Sequence, residues 1–192
     1  MLIFFTKIHN QMTGIEKMYS DFKLFAQYNT WMNARLYECA EQLSDAQLKE
    51  DRGAFFKSAF ATFNHIMVGD LTWLRRFAKH SQSYESLQQL DQFPVPTALT
   101  SIPYDSWSDL KAARQKLDAI IEEFAGDITA AQAENALTYA NMKGIPATKN
   151  FGDLVLHFFN HQTHHRGQIT TLLTQFGLET PDTDLLFLCQ DA

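Results

Sequence analysis

Four long stretches of the chain carry apolar side chains at intervals of three and four residues, and this spacing constrains the fold more than any other feature. Between Tyr19 and Leu43, the positions Phe25, Tyr28, Met32, Leu36, Cys39 and Leu43 form one stripe of an amphipathic helix. The stretch from Phe55 to Lys79 is apolar on almost every side, with Phe60, Phe63, Ile66, Met67, Leu71, Leu74 and Phe77 among others. That is the pattern of a helix enclosed by its neighbours. From Tyr104 to Phe124, the residues Trp107, Leu110, Arg114, Leu117, Ile121 and Phe124 share one side, and Gly126 marks the end. The fourth stretch is capped by Asn150, carries Asp153 at the third helical position, and closes at Gly177. No comparable stretch alternates with period two. The expected class is therefore all-α, a four-helix bundle.

The connections are long enough that a plain up-down-up-down order is not required. His80 to Pro103 is rich in Ser, Gln and Pro, with room for one short helical turn around Ser83 to Leu90. Thr129 to Glu134 suits a short helical piece, and two β-prone runs flank Asn141 to Gly144, predicting a small hairpin before the fourth helix. A short terminal helix is expected from Pro181. Because the patterning begins near Tyr19, residues 1–18 read as an N-terminal extension and 19–192 as a single domain.

Charge and composition remove several functional classes. Lys and Arg total 16 against 22 Asp and Glu, a formal net charge of −6. A sequence-independent nucleic-acid binder needs the opposite balance, as does a protein held electrostatically on anionic lipid. No apolar run approaches the roughly 20 residues of a membrane span, and the apolar start Met1-Leu-Ile-Phe-Phe is too short for a secretory signal. Cys39 and Cys189 form no C-x-x-C pair, which excludes a zinc ribbon and a dithiol redox centre. The expected setting is cytoplasmic, with no nucleic-acid or membrane partner and with a small molecule as substrate. The sixteen phenylalanines imply a tightly packed interior, a large pocket, or both.

The histidines carry the chemistry. Four of the seven lie within nine positions of the fourth helix: His157, His161, His164 and His165. At about 100° per residue, His161 and His165 stand about 40° apart inside the apolar sector. His157 and His164 fall toward its border, Gln168 faces inward, and Arg166 falls beyond the opposite border. Two imidazoles one turn apart on an inward face can bridge one divalent ion, and a third ligand must come from another helix. The second helix offers His65, whose face is otherwise small: Ser58, Ala61, Thr62, Gly69 and Thr72. Such a face leaves room for an ion and a substrate, or lets helices approach closely. Three inward imidazoles without partners are costly to bury, which favours a metal over a polar seam. The di-iron Glu-x-x-His arrangement is absent, as are H-E-x-x-H, G-x-S-x-G and phosphate-loop motifs, and the acidic residues are expected to be mostly peripheral. Neutral imidazoles suit zinc, nickel, iron and copper alike.

The string Asn160-His-Gln-Thr-His-His-Arg-Gly-Gln168 closely resembles the signature of the DinB-like family, which is unrelated to the DNA polymerase of the same name. Phe63-Asn-His-Ile-Met-Val-Gly-Asp70 is similar to its second-helix motif, and Tyr28-Asn-Thr-Trp-Met-Asn-Ala-Arg-Leu36 to its first. The segment from Leu137 to Gly144 and the ending Pro181-Asp-Thr-Asp-Leu also resemble the family. The resemblance implies an unusual helix order, frequent homodimers, and a divalent metal held by His65, His161 and His165, with zinc or nickel first and iron or manganese next. It further implies an enzyme that uses a low-molecular-weight thiol as cosubstrate, or water, against a small electrophilic or hydrolysable substrate. Catalytic residues beyond the ligands are not indicated. The alternative is a bundle that binds metal or a small ligand without catalysis.

Overall fold

The computed structural model describes residues 14–80, 84–189 and 191, with side chains from Asp21 onward. Six α-helices, two 3-10 turns and one hairpin follow in order: α1 (Gly14–Ala40), α2 (Asp45–Lys49), α3 (Ala59–Phe77), a 3-10 turn (Glu85–Gln92), α4 (Trp107–Asp127), α5 (Ala130–Glu134), β1 (Ala136–Ala140), β2 (Pro146–Asn150), α6 (Phe151–Thr174) and a second 3-10 turn (Leu185–Leu188). The expected all-α bundle with its hairpin is what forms. α1 takes in Gly14 to Met18, the last part of the stretch expected as an extension; the rest of that stretch lies outside the described residues.

Local chemistry sets the boundaries. Ser58, Ser106 and Asn150 cap α3, α4 and α6 by accepting from Ala61, Asp109 and Asp153 backbone N–H groups. Ser44 with Gln47 and Thr129 with Gln132 form reciprocal capping boxes on the two short helices. The second long helix starts at Ala59, later than the apolar run beginning at Phe55 suggests. Phe55 and Phe56 instead sit in a tight turn where Lys57 adopts φ 70° and Ala54 bridges to Lys57. α4 runs one residue past Gly126 to Asp127, and the short turn expected near Ser83 to Leu90 is a 3-10 turn two residues further on.

α1 lies against α4 and α6, and α3 against α6 and, more lightly, α4. In chain order the long helices therefore step diagonally across the bundle from α1 to α3, then sideways to α4, then diagonally to α6. Long connections make those diagonals feasible. The hairpin pairs Ala136 with Asn150 through Ala140 with Pro146, and Gly144 (φ 76°) allows its turn. The phenylalanines mostly fill the core. At one end Phe77 stacks on Phe124 and meets Phe151 and Phe158 edge-on.

One layer of the core is polar, against expectation. Asp70 and Asp118 are buried, not peripheral, and Arg114 bridges them with nitrogen–oxygen distances of 2.6 and 2.8 Å. Asn29 and Asn33 of α1 donate to Asp118 at 2.8 and 2.9 Å, and Gln162 of α6 donates to Asp70 at 2.9 Å. Arg166, expected beyond the border of α6, is only 3% exposed and donates to Asn29. It is buried because α6 packs against α1 as well as α3. Two carboxylates and two guanidiniums balance in charge, and all four long helices contribute. Burial by itself pulls Arg114 down, but the Asp118 and Asp70 carboxylates reverse that and hold it firmly protonated.

Candidate metal centre

α3 and α6 run antiparallel, and from Trp73 and His157 onward matching four-residue spacings build the site like rungs. Phe77 meets Phe151, with ring centroids 5.4 Å apart, and Trp73 meets His157 at 5.2 Å. Gly69 lies under His161, and His65 meets His165 at 4.5 Å. The Gly69 rung explains the small face of α3. A Cβ at that position would lie 2.7 Å from His161 Cε1 and 3.1 Å from its Nδ1. The space left on α3 is thus filled by a histidine of the opposite helix, while Ser58 serves as helix cap.

This pairing brings His65, His161 and His165 together, each offering a nitrogen within 4.8 Å of the others. His165 Nε2 and His161 Nε2 are 3.1 Å apart. Two nitrogens on one tetrahedral zinc stand about 3.3 Å apart, so the two rings are already near ligand spacing. The tautomers follow from the outer partners. His65 Nδ1 is 2.8 Å from the Leu99 carbonyl and His165 Nδ1 is 2.8 Å from Gln168 Oε1. Both oxygens only accept, so each Nδ1 carries the proton and each Nε2 presents its lone pair to the cluster. Gln168 in turn reaches His164 Nε2 at 3.3 Å. The inward placement of Gln168 thus becomes a hold on His165.

Burial keeps the rings neutral. It lowers His65, against the Leu99 hydrogen bond and the Asp70 charge. His161 is pushed down to about 3, by burial first and then by neighbouring histidines, and His165 to about 4, by burial despite the Gln168 bond. His161 Nδ1 is buried with no hydrogen-bond partner. Three neutral donors, one of them short of a partner and two facing each other across 3.1 Å, make a donor set that suits a cation. The residues present fit a divalent ion.

His157 and His164 are exposed and stay outside this group; His157 stacks edge-on against Trp73. Among the described residues no fourth His, Cys, Asp or Glu joins the three. Phe56 covers one side, stacked on His65 at 3.8 Å and edge-on to His165 at 5.6 Å. Phe55 beside it is 84% exposed. The Leu99 carbonyl, Phe56 and Gly69 as a seat for His161 were not evident from the sequence. Asp70, next to Gly69, does carry a signal in the sequence: a carboxylate on a helix apolar almost all round is one that burial must pair.

Comparison with known proteins agrees with this geometry. The model of the DinB family matches residues 18–191. Over 163 residues the chain is 24% identical to Protein DinB of Bacillus subtilis (strain 168), covering 85% of this chain and 90% of that protein. No solved structure matches. With the family model spanning nearly the whole chain, the chain belongs to the DinB family.

Proposed function

We propose that His65, His161 and His165 hold one divalent metal ion and that the protein is a metal-dependent enzyme acting on a small electrophilic or hydrolysable substrate with a thiol or water as nucleophile. The observation that carries this is the cluster itself: neutral imidazoles from two helices, within 4.8 Å, with two of the three outer nitrogens anchored on oxygens. A divalent ion in such a donor set supplies Lewis acidity, lowering the pKa of a thiol or water toward neutrality. Zinc or nickel is the expected ion, with iron or manganese next. The chain's own residues do the rest. Leu99 and Gln168 orient two of the rings, Gly69 seats the third, and Phe56 shields one side from water.

A second reading, a bundle that binds metal or a small ligand without catalysis, draws on one observation. Among the described residues, no carboxylate or cysteine stands among the three histidines to serve as a general base. The two readings part on a direct assay. Protein loaded with zinc, nickel or manganese is mixed with a low-molecular-weight thiol and an epoxide or haloalkane, and adduct is followed by mass spectrometry beside ester hydrolysis. Metal-dependent turnover that His161→Ala abolishes supports the enzyme. Metal binding with no turnover across both screens leaves the binding role. A homodimer is also proposed, and light scattering that gives a monomer mass at micromolar concentration overturns it.

A further inference from the structure

A groove of about 250 Å³ runs between the C-terminal end of α3, the Val95–Pro96 segment and the hairpin. Arg75, Arg76 and Lys79 line one side, and Val95, Tyr139 and Met142 stand among the residues opposite. No Asp or Glu lines it, in a chain whose net charge is −6. Among the described residues, none of the three cations pairs with a carboxylate. Arg75 is used structurally, donating at 2.9 Å to the Leu90 and Phe93 carbonyls. Arg76 is different. Its guanidinium lies 4.6 Å over the Trp73 ring and 5.1 Å over the Tyr139 ring, and burial pulls its pKa down.

Basic residues near a helix C-terminus are favourable through the helix dipole alone. That accounts for cations near the last carbonyls. It does not account for a half-buried guanidinium held against two aromatic faces with its donors unspent, beside an apolar wall. A planar guanidinium with a nearby ammonium recognises carboxylate or phosphate oxygens in pairs, and partial desolvation strengthens the contact. The groove is below the usual size of a pocket for a whole drug-sized molecule, which suits one end of a small molecule. A nucleic acid would instead need an open basic stripe.

A run of packed rings stands between the groove and the histidine cluster. Tyr139 meets Trp73 at 5.2 Å, Trp73 meets His157 at 5.2 Å, and His157 meets His161 at 6.3 Å. We propose that Arg76 and Lys79 bind the anionic group, carboxylate or phosphate, of a small molecule. This anion site stands independently of the metal-centre reading.

The test titrates the full chain, metal-free and isotope-labelled, with succinate and separately with inorganic phosphate at fixed ionic strength, following backbone amide shifts. Saturable shifts at Thr138, Tyr139 and Met142, with dissociation constants at or below about 10 mM, are expected for at least one anion. Which anion binds more tightly separates a carboxylate from a phosphate ligand. Arg76→Gln and Lys79→Gln should each weaken binding several-fold, and Arg76→Lys should restore part of it. Lys79 is exposed, so its variant keeps the test sound if Arg76→Gln does not fold. Shifts that do not saturate, or equal affinities in wild type and Lys79→Gln, overturn the proposal. His161→Ala should leave anion binding intact, and the Lys79 variant should leave metal stoichiometry intact. Failure of one site therefore does not read as failure of the other.

Discussion

Replacing Gly69 by Ala adds a single methyl group, and its effect can be worked from the two helices it lies between. The new carbon would stand 2.7, 3.1 and 3.6 Å from His161 Cε1, Nδ1 and Nε2. Ordinary carbon contacts begin near 3.5 Å, so the imidazole must retreat by roughly 1 Å. Alanine in a helix interior gains up to about 1 kcal/mol over glycine, and overpacking costs about 1–3 kcal/mol. The net loss of stability should thus be about 0–2 kcal/mol, because the displaced group is a side chain and not backbone. Metal affinity should suffer more. Pushing one of three ligands off position compares with losing an orienting partner, about 10–100-fold. Zinc titration against a competing chelator, beside thermal unfolding of the metal-free protein, separates the two effects. A variant that unfolds within a few degrees of wild type yet binds zinc at least tenfold more weakly meets the expectation. Unchanged zinc affinity in a folded Gly69→Ala protein would refute the placement of His161 as a ligand seated on α3.

Three further outcomes follow from other parts of the structure. Asp70→Ala takes from buried Arg114 one of its two carboxylate partners and from Gln162 its acceptor, and should destabilise the fold by about 3–5 kcal/mol in urea unfolding; a loss below about 1 kcal/mol contradicts the network. Gln168→Ala frees the His165 ring and should weaken zinc binding about 10-fold or more at little change in stability, and equal affinity would remove Gln168 from its role. The metal-free protein should lose stability in acid, because His161 and His165 are held neutral down to about 3 and about 4 while the unfolded chain protonates near 6.5. That contribution is full above about pH 6.5 and is lost as pH falls toward 4 and then 3, at about 1–2 kcal/mol per pH unit between 6 and 5. A flat urea midpoint from pH 7 to 5 would contradict it.

Much of this was legible in the residues, and what was not has identifiable physical causes. Periodicity marks the long helices because each buries a stripe, and the cap residue Asn150 sharpens the start of α6. Angular placement on α6 picks out His161 and His165 because it is a property of one helix. It misplaces Arg166 because a helix packed on two sides has two inward faces. Phe55 and Phe56 read as helix since an apolar run has no period of its own, and only Lys57 at positive φ shows the turn. Asp118 looks like a surface acid because Asn29 and Asn33, which help justify its burial, come from distant sequence, and Arg114 four residues before it reads as an ordinary helix-surface partner. The rung that seats His161 on Gly69 is likewise a relation between two helices and not a property of either.

The most direct test of the metal centre is elemental analysis of the untagged full chain, purified without added metal, beside His65→Ala and His161→Ala, each confirmed to be folded. The account predicts about one equivalent of a divalent ion per chain, zinc or nickel first, in the wild type. It predicts little or none in either variant. A wild-type protein that comes out metal-free and takes up no zinc, nickel or manganese on titration would contradict it, leaving the three histidines as a polar seam in a folded bundle.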